Sequence, residues 1–154
     1  MGNKFVCEKS ERIAALFNMS GSSYPSSEIN QKCNPSTPVS YIHLHGVKDG
    51  TVAIDGSTLD GLLYPLGKDG EMIRFSYPSA QELTKFWIKK NECTNDVKIL
   101  NNSKKYSAYQ YSNCSSSSEV RLYRMNNNTH IPLLTIKLRY ELLDAILAQK
   151  KDLP

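Results

Sequence analysis

"VSYIHLHG", residues 39–46, is the stretch of sequence that decides the fold. It is apolar on both faces apart from its two histidines, which is typical of a central strand in a sheet covered on both sides. Gly46, Gly50 and Gly56 follow it and indicate a loop. Because Asp49 lies in that loop, polar groups gather where the strand ends.

Further elements are predicted on both sides of this strand. Residues 1–10 are expected to be the end of a helix, and "RIAALFNMS", residues 12–20, has the bounded apolar pattern of a second buried strand. Ser79 is a plausible N-cap for a helix over about residues 79–91. Two more strands and a final amphipathic helix are predicted at "YSAYQYS" (106–112), "EVRLYRM" (119–125) and "LLTIKLRYELLDAILAQKK" (133–151). The order β, β, α, β, β, α predicts the α/β class.

Composition bounds the class of protein. A chain of 154 residues with 40% hydrophobic residues fits one domain with a real core. Its 19 basic and 15 acidic residues are scattered, so it lacks the clustered basic face that nucleic-acid binding needs. No run approaches the roughly 18 consecutive apolar residues of a membrane span. We therefore expect neither a nucleic-acid partner nor a membrane span.

The four cysteines indicate an oxidising compartment. Cys7, Cys33, Cys93 and Cys114 are isolated, with no C-x-x-C pair of the kind that zinc or redox centres use. An even number of lone cysteines predicts two disulfides, in any of three connectivities, with buried free thiols as the alternative. The N-terminal residues are too polar for a signal peptide. We expect a secreted or periplasmic protein whose true N-terminus is missing from this sequence.

The pattern His43-Leu44-His45 raises the possibility of a metal site. Residues i and i+2 of a strand share a face, so both imidazoles could converge on one ion. Asp49 could add a ligand, but His130 is the only other histidine in the chain and the pattern is weak. We favour a structural role for His43, hydrogen-bonded within the sheet, and predict no metal.

Chain order offers a second interpretation. An α/β-hydrolase places its nucleophile, its acid and its histidine in that order, with the last two on loops after late strands of a parallel sheet. Asp49 follows one predicted buried strand and His130 follows another. Both lie where that fold puts its acid and its histidine, although each residue taken alone is more often an ordinary turn or surface residue.

Four segments extend this order into a longer pattern. Residues 43–56 contain His-Gly-x-x-Asp-x-x-Val-x-x-x-Gly, and residues 80–93 end in Trp-x-x-x-Asn-Glu-Cys. Residues 114–132 join Cys to Val-x-Leu-Tyr and then to the His130 loop, and residues 7–22 combine a Cys with the first strand. Together these segments resemble the polyhydroxybutyrate depolymerase and feruloyl or acetylxylan esterase family, secreted serine esterases with the α/β-hydrolase fold. The resemblance keeps the family order over nearly the whole chain.

The resemblance implies a role for individual residues. Asp49 would be the acid of the catalytic triad, and His130 would be its general base. Cys7 would pair with Cys33 and Cys93 with Cys114, each disulfide contributing roughly 3 to 4 kcal/mol. The substrate would be an ester of a polyester or of the plant cell wall, and no cofactor is implied.

The chain also departs from the family pattern. Asn127, Asn128 and Thr129 replace small residues before the histidine, the Trp after it is missing, Ile54 replaces a common aromatic residue and Glu92 replaces a Gly. These differences concern the substrate pocket more than the triad.

The main absence is the nucleophile. No G-x-S-x-G occurs in the chain, and Ser20, Ser22 and Ser23 follow the wrong strand to replace it. We therefore predict that residues 1–154 are the C-terminal portion of an α/β-hydrolase domain, without the N-terminal strands and the nucleophile elbow, and that this portion alone is inactive. The alternative is a non-catalytic relic or an interaction protein built on the truncated scaffold.

Overall fold

A computed structural model describes the backbone of residues 2–65, 72–94 and 96–130, and the side chains of these residues except 58–65 and 72–75. The helices within these ranges are α1 (Gly2–Glu8), α2 (Ile29–Lys32) and α3 (Ala80–Lys90). The strands are β1 (Ala15–Met19), β2 (Ser40–Gly46), β3 (Ser57–Pro65), β4 (Met72–Tyr77), β5 (Val97–Asn102), β6 (Tyr106–Tyr111) and β7 (Val120–Met125). The helix predicted over residues 133–151 lies outside the described residues.

The main sheet has five strands in the order β1-β2-β7-β6-β5. β1, β2 and β7 run parallel, whereas β6 and β5 continue the sheet in antiparallel fashion. β3 and β4 form a separate antiparallel pair. This mixed sheet with its helices is compatible with the predicted α/β class.

β2 lies inside the sheet, as its sequence predicted, and all seven of its residues are buried. On one face, Ile42 and Leu44 belong to an apolar cluster with Tyr123 of β7. On the other face, Tyr41 belongs to a second cluster that α1 and α3 supply with side chains such as Val6. Both faces are therefore removed from water, which explains why the strand is apolar on both sides.

α3 begins and packs as its sequence predicted. The Ser79 side chain accepts a hydrogen bond from the N–H of Glu82, and the Glu82 side chain accepts one from the N–H of Ser79, which is a capping box. Trp87 is buried on the inner side of the helix and stacks on Tyr41 with ring centroids 5.2 Å apart. The stacked pair locks the helix onto the face of β2 that carries the histidines.

The residue after α3 joins the helix to the start of β2. The Asn91 side chain is fully buried, accepts a hydrogen bond from the N–H of Val39 and donates one to its carbonyl. Next along the chain, Cys93 is disulfide-bonded to Cys114, and Cys7 is bonded to Cys33. Sequence reasoning left three connectivities open, and the observed pairing is the one that the resemblance implied.

Three strands escaped the sequence analysis, for two physical reasons. β5 is exposed along nearly its whole length, so it lacks the alternation that burial of one face imprints on a sequence. β3, which pairs with β4, itself contains residues with weak strand propensity, among them Gly61 and Pro65. β1 was predicted to be fully buried, but it lies at an edge of the described sheet and is half-buried over its first three residues. None of the described helices has the length and apolar character that crossing a bilayer requires.

Glu92 offers a test of backbone strain at the end of α3. Its φ of 52° lies in the left-handed region, which costs a residue with a Cβ about 1 kcal/mol more than glycine. We expect Glu92→Gly to raise the free energy of unfolding by up to about 1 kcal/mol, measured by urea denaturation. Glu92→Ala is the matched control, since it also removes the hydrogen bond from Ser115 but keeps the Cβ. A glycine variant no more stable than the alanine variant would contradict the strain.

Candidate active site

The site is built where two neighbouring parallel strands end. β2 and β7 pair residue by residue up to Gly46 and Met125, so both chains leave the sheet at the same edge. The loop after β2 carries Asp49, and the loop after β7 carries His130. This arrangement brings together two side chains that are 81 residues apart in the sequence.

Backbone contacts hold the two loops against each other. The N–H of Val47 donates to the carbonyl of Met125 at 2.9 Å, and the N–H of Lys48 donates to the carbonyl of Asn128 at 3.0 Å. A Cβ at Gly46 would overlap the backbone carbonyl oxygens of Asn128 and Thr129. Because only a glycine leaves room there, residue 46 allows the second loop to pass directly over the end of β2.

Within this frame Asp49 and His130 form a hydrogen-bonded pair. Nδ1 of His130 lies 3.0 Å from Oδ2 of Asp49. The Asp49 side chain is fully buried, whereas the His130 side chain is 41% exposed. Oδ1 of Asp49 accepts hydrogen bonds from the N–H groups of Thr51 and Val52, both at 2.9 Å. The carboxylate is therefore fixed from one side by its own loop and faces the imidazole with its other oxygen.

The surroundings of Asp49 favour its charged form. Burial alone raises the pKa of this carboxyl group, but hydrogen bonds from Val52, His130 and Thr51 outweigh it, and the pKa of Asp49 is lowered. A charged Asp49 requires a donor at Nδ1 of His130, and in the neutral imidazole this leaves Nε2 with its lone pair. Among the described residues, Nε2 has no hydrogen-bond partner. The pair thus presents a base at a partly exposed position.

A row of four buried polar side chains runs along β2 towards Asp49, and we call it the β2 polar row. Nδ2 of Asn18 lies 2.9 Å from the Tyr41 hydroxyl, which lies 3.0 Å from Nδ1 of His43. Nε2 of His43 lies 3.0 Å from Nδ1 of His45. Nε2 of His45 lies 2.8 Å from the Val52 carbonyl oxygen, and its distance to Oδ2 of Asp49 is 3.3 Å.

The metal hypothesis receives no support from this geometry. The imidazoles of His43 and His45 use their facing nitrogens in a hydrogen bond to each other, instead of converging on one ion. In the part of the chain that the structure describes, no three His, Cys, Asp or Glu side chains are grouped as metal ligands would be. The structural role predicted for His43, within a hydrogen-bonded sheet, agrees with its position.

Both histidines of the β2 polar row are held neutral. Burial, followed by the proximity of His45, lowers the pKa of His43 to about 3. Burial also lowers the pKa of His45, against the opposing effects of the Val52 carbonyl and Asp49. Burial raises the pKa of the Tyr41 hydroxyl. The whole row is therefore uncharged at neutral pH.

Sequence reasoning found Asp49 and His130 but missed the row. Tyr41, His43 and His45 alternate along one strand, so their common face was readable from period two. Nothing in the sequence linked Asn18 to them, because its contact depends on the register between β1 and β2, in which Asn18 lies opposite His43. The direct approach of His45 to Asp49 was also missed, since His45 was assigned to shaping the turn.

No protein-family model, no curated protein and no solved structure matches the chain.

The neutral histidines predict a loss of stability in mild acid. The unfolded chain takes up protons on His43 and His45 below about pH 6.5, whereas folded His43 does so only near pH 3. Stability present above pH 6.5 is therefore lost as the pH falls, by roughly 1.4 kcal/mol per pH unit from His43, with a further loss in the same direction from His45. Urea denaturation at pH 7 and pH 5 measures this slope.

His43→Phe is the informative variant in that experiment. It is expected to be less stable than the wild type at pH 7, because Tyr41 and His45 each lose a partner, and to have a clearly smaller slope between pH 7 and pH 5. A wild-type protein with no pH dependence in this window would contradict neutral, buried histidines.

The close approach of the His130 loop to Gly46 predicts that a side chain at this position disturbs the pair of Asp49 and His130. In Gly46→Ala the added Cβ meets backbone carbonyls of the His130 loop, so the loop must shift at a cost of about 1 to 3 kcal/mol. The ring 15N chemical shifts of His130, followed by NMR, are expected to change as the pair with Asp49 weakens. Gly50→Ala is the matched control, since nothing lies within 4 Å of a Cβ there. Equal effects of both substitutions would refute the close approach at Gly46.

Proposed function

We propose that the chain is the C-terminal portion of a serine carboxylic-ester hydrolase with the α/β-hydrolase fold, similar to polyhydroxybutyrate depolymerases and feruloyl or acetylxylan esterases. The observation that carries the proposal is the 3.0 Å contact between His130 Nδ1 and Asp49 Oδ2. The pair lies on loops that follow two adjacent parallel strands, β2 and β7. Acid and histidine on successive late strands are the arrangement of that fold.

The chemistry assigned to the pair is acid–base catalysis. Asp49 keeps the proton of His130 on Nδ1 and stabilises the imidazolium that forms. Nε2 of His130 takes the proton of a serine hydroxyl as its oxygen attacks the ester carbonyl, and then gives that proton to the departing alkoxide. Water repeats the sequence on the acyl-serine and releases the acid. The serine itself comes from another segment of polypeptide, since the sequence holds no G-x-S-x-G.

Backbone conformation supports the resemblance independently of the site. The family pattern that this chain resembles reads Asn-Gly-Cys over residues 91–93 and Cys-x-x-Gly over residues 114–117. Glu92 and Ser117 occupy its two glycine positions, and both residues have positive φ, 52° and 55°. The glycine that the chain retains, Gly56, has a φ of 79°. Left-handed backbone at the positions where the family pattern has glycine favours the same local fold as in that family.

The character of the edge strand β1 supports the proposal that a further strand pairs with it in the complete protein. In its sequence, "ALFNM", four of five residues are apolar and the one polar residue, Asn18, is buried, as in an internal strand, but in the described sheet β1 pairs only with β2. A parallel strand added beside β1 would end at the same edge as β2 and β7. A serine on the turn after such a strand would therefore face the side of the molecule that carries Asp49 and His130.

Substrate and location follow from the same proposal. The substrate is an ester of a polyester or of the plant cell wall, and the reaction needs no cofactor. The two disulfides are compatible with an extracellular protein, and we propose a secreted or periplasmic location.

The first test is hydrolysis of a fluorogenic acetate ester. The 154-residue chain alone is expected to show no turnover, because a triad without its nucleophile has no covalent route. If the reading frame continues upstream into a G-x-S-x-G, the continuous polypeptide is expected to hydrolyse the ester. Asp49→Asn is then expected to lower kcat by about 10⁴-fold, and His130→Ala at least as much.

Asp55→Asn is the matched control, because Asp55 is an exposed acid of the same loop. Turnover by the chain alone that Asp49→Asn removes would place the nucleophile within these 154 residues and overturn the division proposed. An upstream frame without a serine elbow would favour the non-catalytic interaction protein instead.

A further inference from the structure

The β2 polar row has a single direction of hydrogen bonding, fixed by its two ends. The amide nitrogen of Asn18 can only donate, and it also donates to the Gly21 carbonyl at 2.9 Å. At the other end, the Val52 carbonyl can only accept. Between these ends, the Tyr41 hydroxyl donates to Nδ1 of His43, Nε2–H of His43 donates to Nδ1 of His45, and Nε2–H of His45 donates outward.

From this direction we infer that His45 is a positioning residue for Asp49, delivering its Nε2–H to the Val52 carbonyl and towards the carboxylate, with the Val52 carbonyl fixing its tautomer. The role in catalysis rests on the proposed function, but the geometry does not. His45 is the second-last residue of β2, just before the loop that carries Asp49. It touches no reacting atom in the proposed reaction.

His45 supports Asp49 by two routes. The direct route is the 3.3 Å approach of its Nε2 to Oδ2, the oxygen that also faces His130. The second route passes through Val52, whose carbonyl accepts from His45 at 2.8 Å and whose N–H holds Oδ1 of Asp49 at 2.9 Å. The Asp49 side chain is fully buried, so both of its oxygens depend on donors of this kind.

A neutral donor suits this position better than a cation. The groups that face His45 are Asp49, His130 and His43, and burial keeps His45 itself uncharged. A protonated His45 would compete with His130 for the single charge of Asp49. A neutral Nε2–H instead orients the carboxylate and leaves its charge to stabilise the imidazolium of His130.

The test is the tautomeric state of the chain's three histidines, read from ring 15N chemical shifts at neutral pH on the full chain. In the wild type, His43 and His45 are expected to carry the proton on Nε2, and His130 on Nδ1 when neutral. His45→Phe is expected to shift His130 from Nδ1–H towards the tautomer mixture of a free imidazole. His45→Gln, whose amide can still donate, is expected to retain more of the Nδ1–H form.

His43→Phe is the matched control. It also breaks the β2 polar row and costs stability, but it leaves the ring of His45 beside Asp49. The inference requires His130 to respond to His45→Phe much more than to His43→Phe in folded protein. Equal responses to both variants would mean that the row acts only through packing, and no response to either would also overturn the inference.

Turnover gives a second readout where the complete hydrolase is available. His45→Phe is then expected to lower kcat by about 10- to 100-fold with little change in KM, as is typical of residues that support a catalytic group. The two proposals fail separately, because the NMR measurement needs no nucleophile. Tautomers as expected, with no hydrolysis by any longer polypeptide, would refute the esterase and leave the role of His45 in holding Asp49 intact.

Discussion

The candidate site depends on the absence of a side chain at Gly46. Two loops that belong to different strands come within hydrogen-bonding distance at that residue, and carbonyl oxygens of the His130 loop occupy the space where a Cβ would project. The sheet determines only that both loops leave from the same edge. The missing Cβ turns that common edge into a direct contact between Asp49 and His130, and the β2 polar row then supports the carboxylate from the buried side.

The sequence predicted that Asp49 and His130 are partners, because both follow strands of a parallel sheet and such strands end at a common edge. It predicted β2 and α3 because burial imprints periodic apolar patterns. It did not predict β5, which is exposed and carries no such pattern, or the contact of Asn18 with Tyr41, which depends on strand register. The partners of a buried hydrogen bond are set by tertiary structure, and no local rule connects residues 18 and 41.

At Glu92 and Ser117 the backbone adopts a conformation that favours glycine. Both have left-handed backbone without being glycine. At Glu92, the following N–H, from Cys93, reaches back to the Ile88 carbonyl at 3.0 Å, so the end of α3 imposes the conformation on the residue. The disulfide of Cys93 holds the same turn from the other side. Local strain of this kind is tolerated when surrounding contacts over-determine the backbone, which is why a residue with a Cβ can occupy this turn.

The disulfide between Cys93 and Cys114 encloses the β5–β6 hairpin. The disulfide links the end of α3 covalently to the segment that precedes β7. This link between the two elements does not depend on the residues of the hairpin. The turn at residues 103–105 lies midway along the sequence between the two cysteines. Loop length there is entropically cheap to change. The carbonyl oxygens of Ser103, Lys104 and Lys105 nevertheless accept hydrogen bonds from Asn126, so a change in this turn acts on the loop that carries His130.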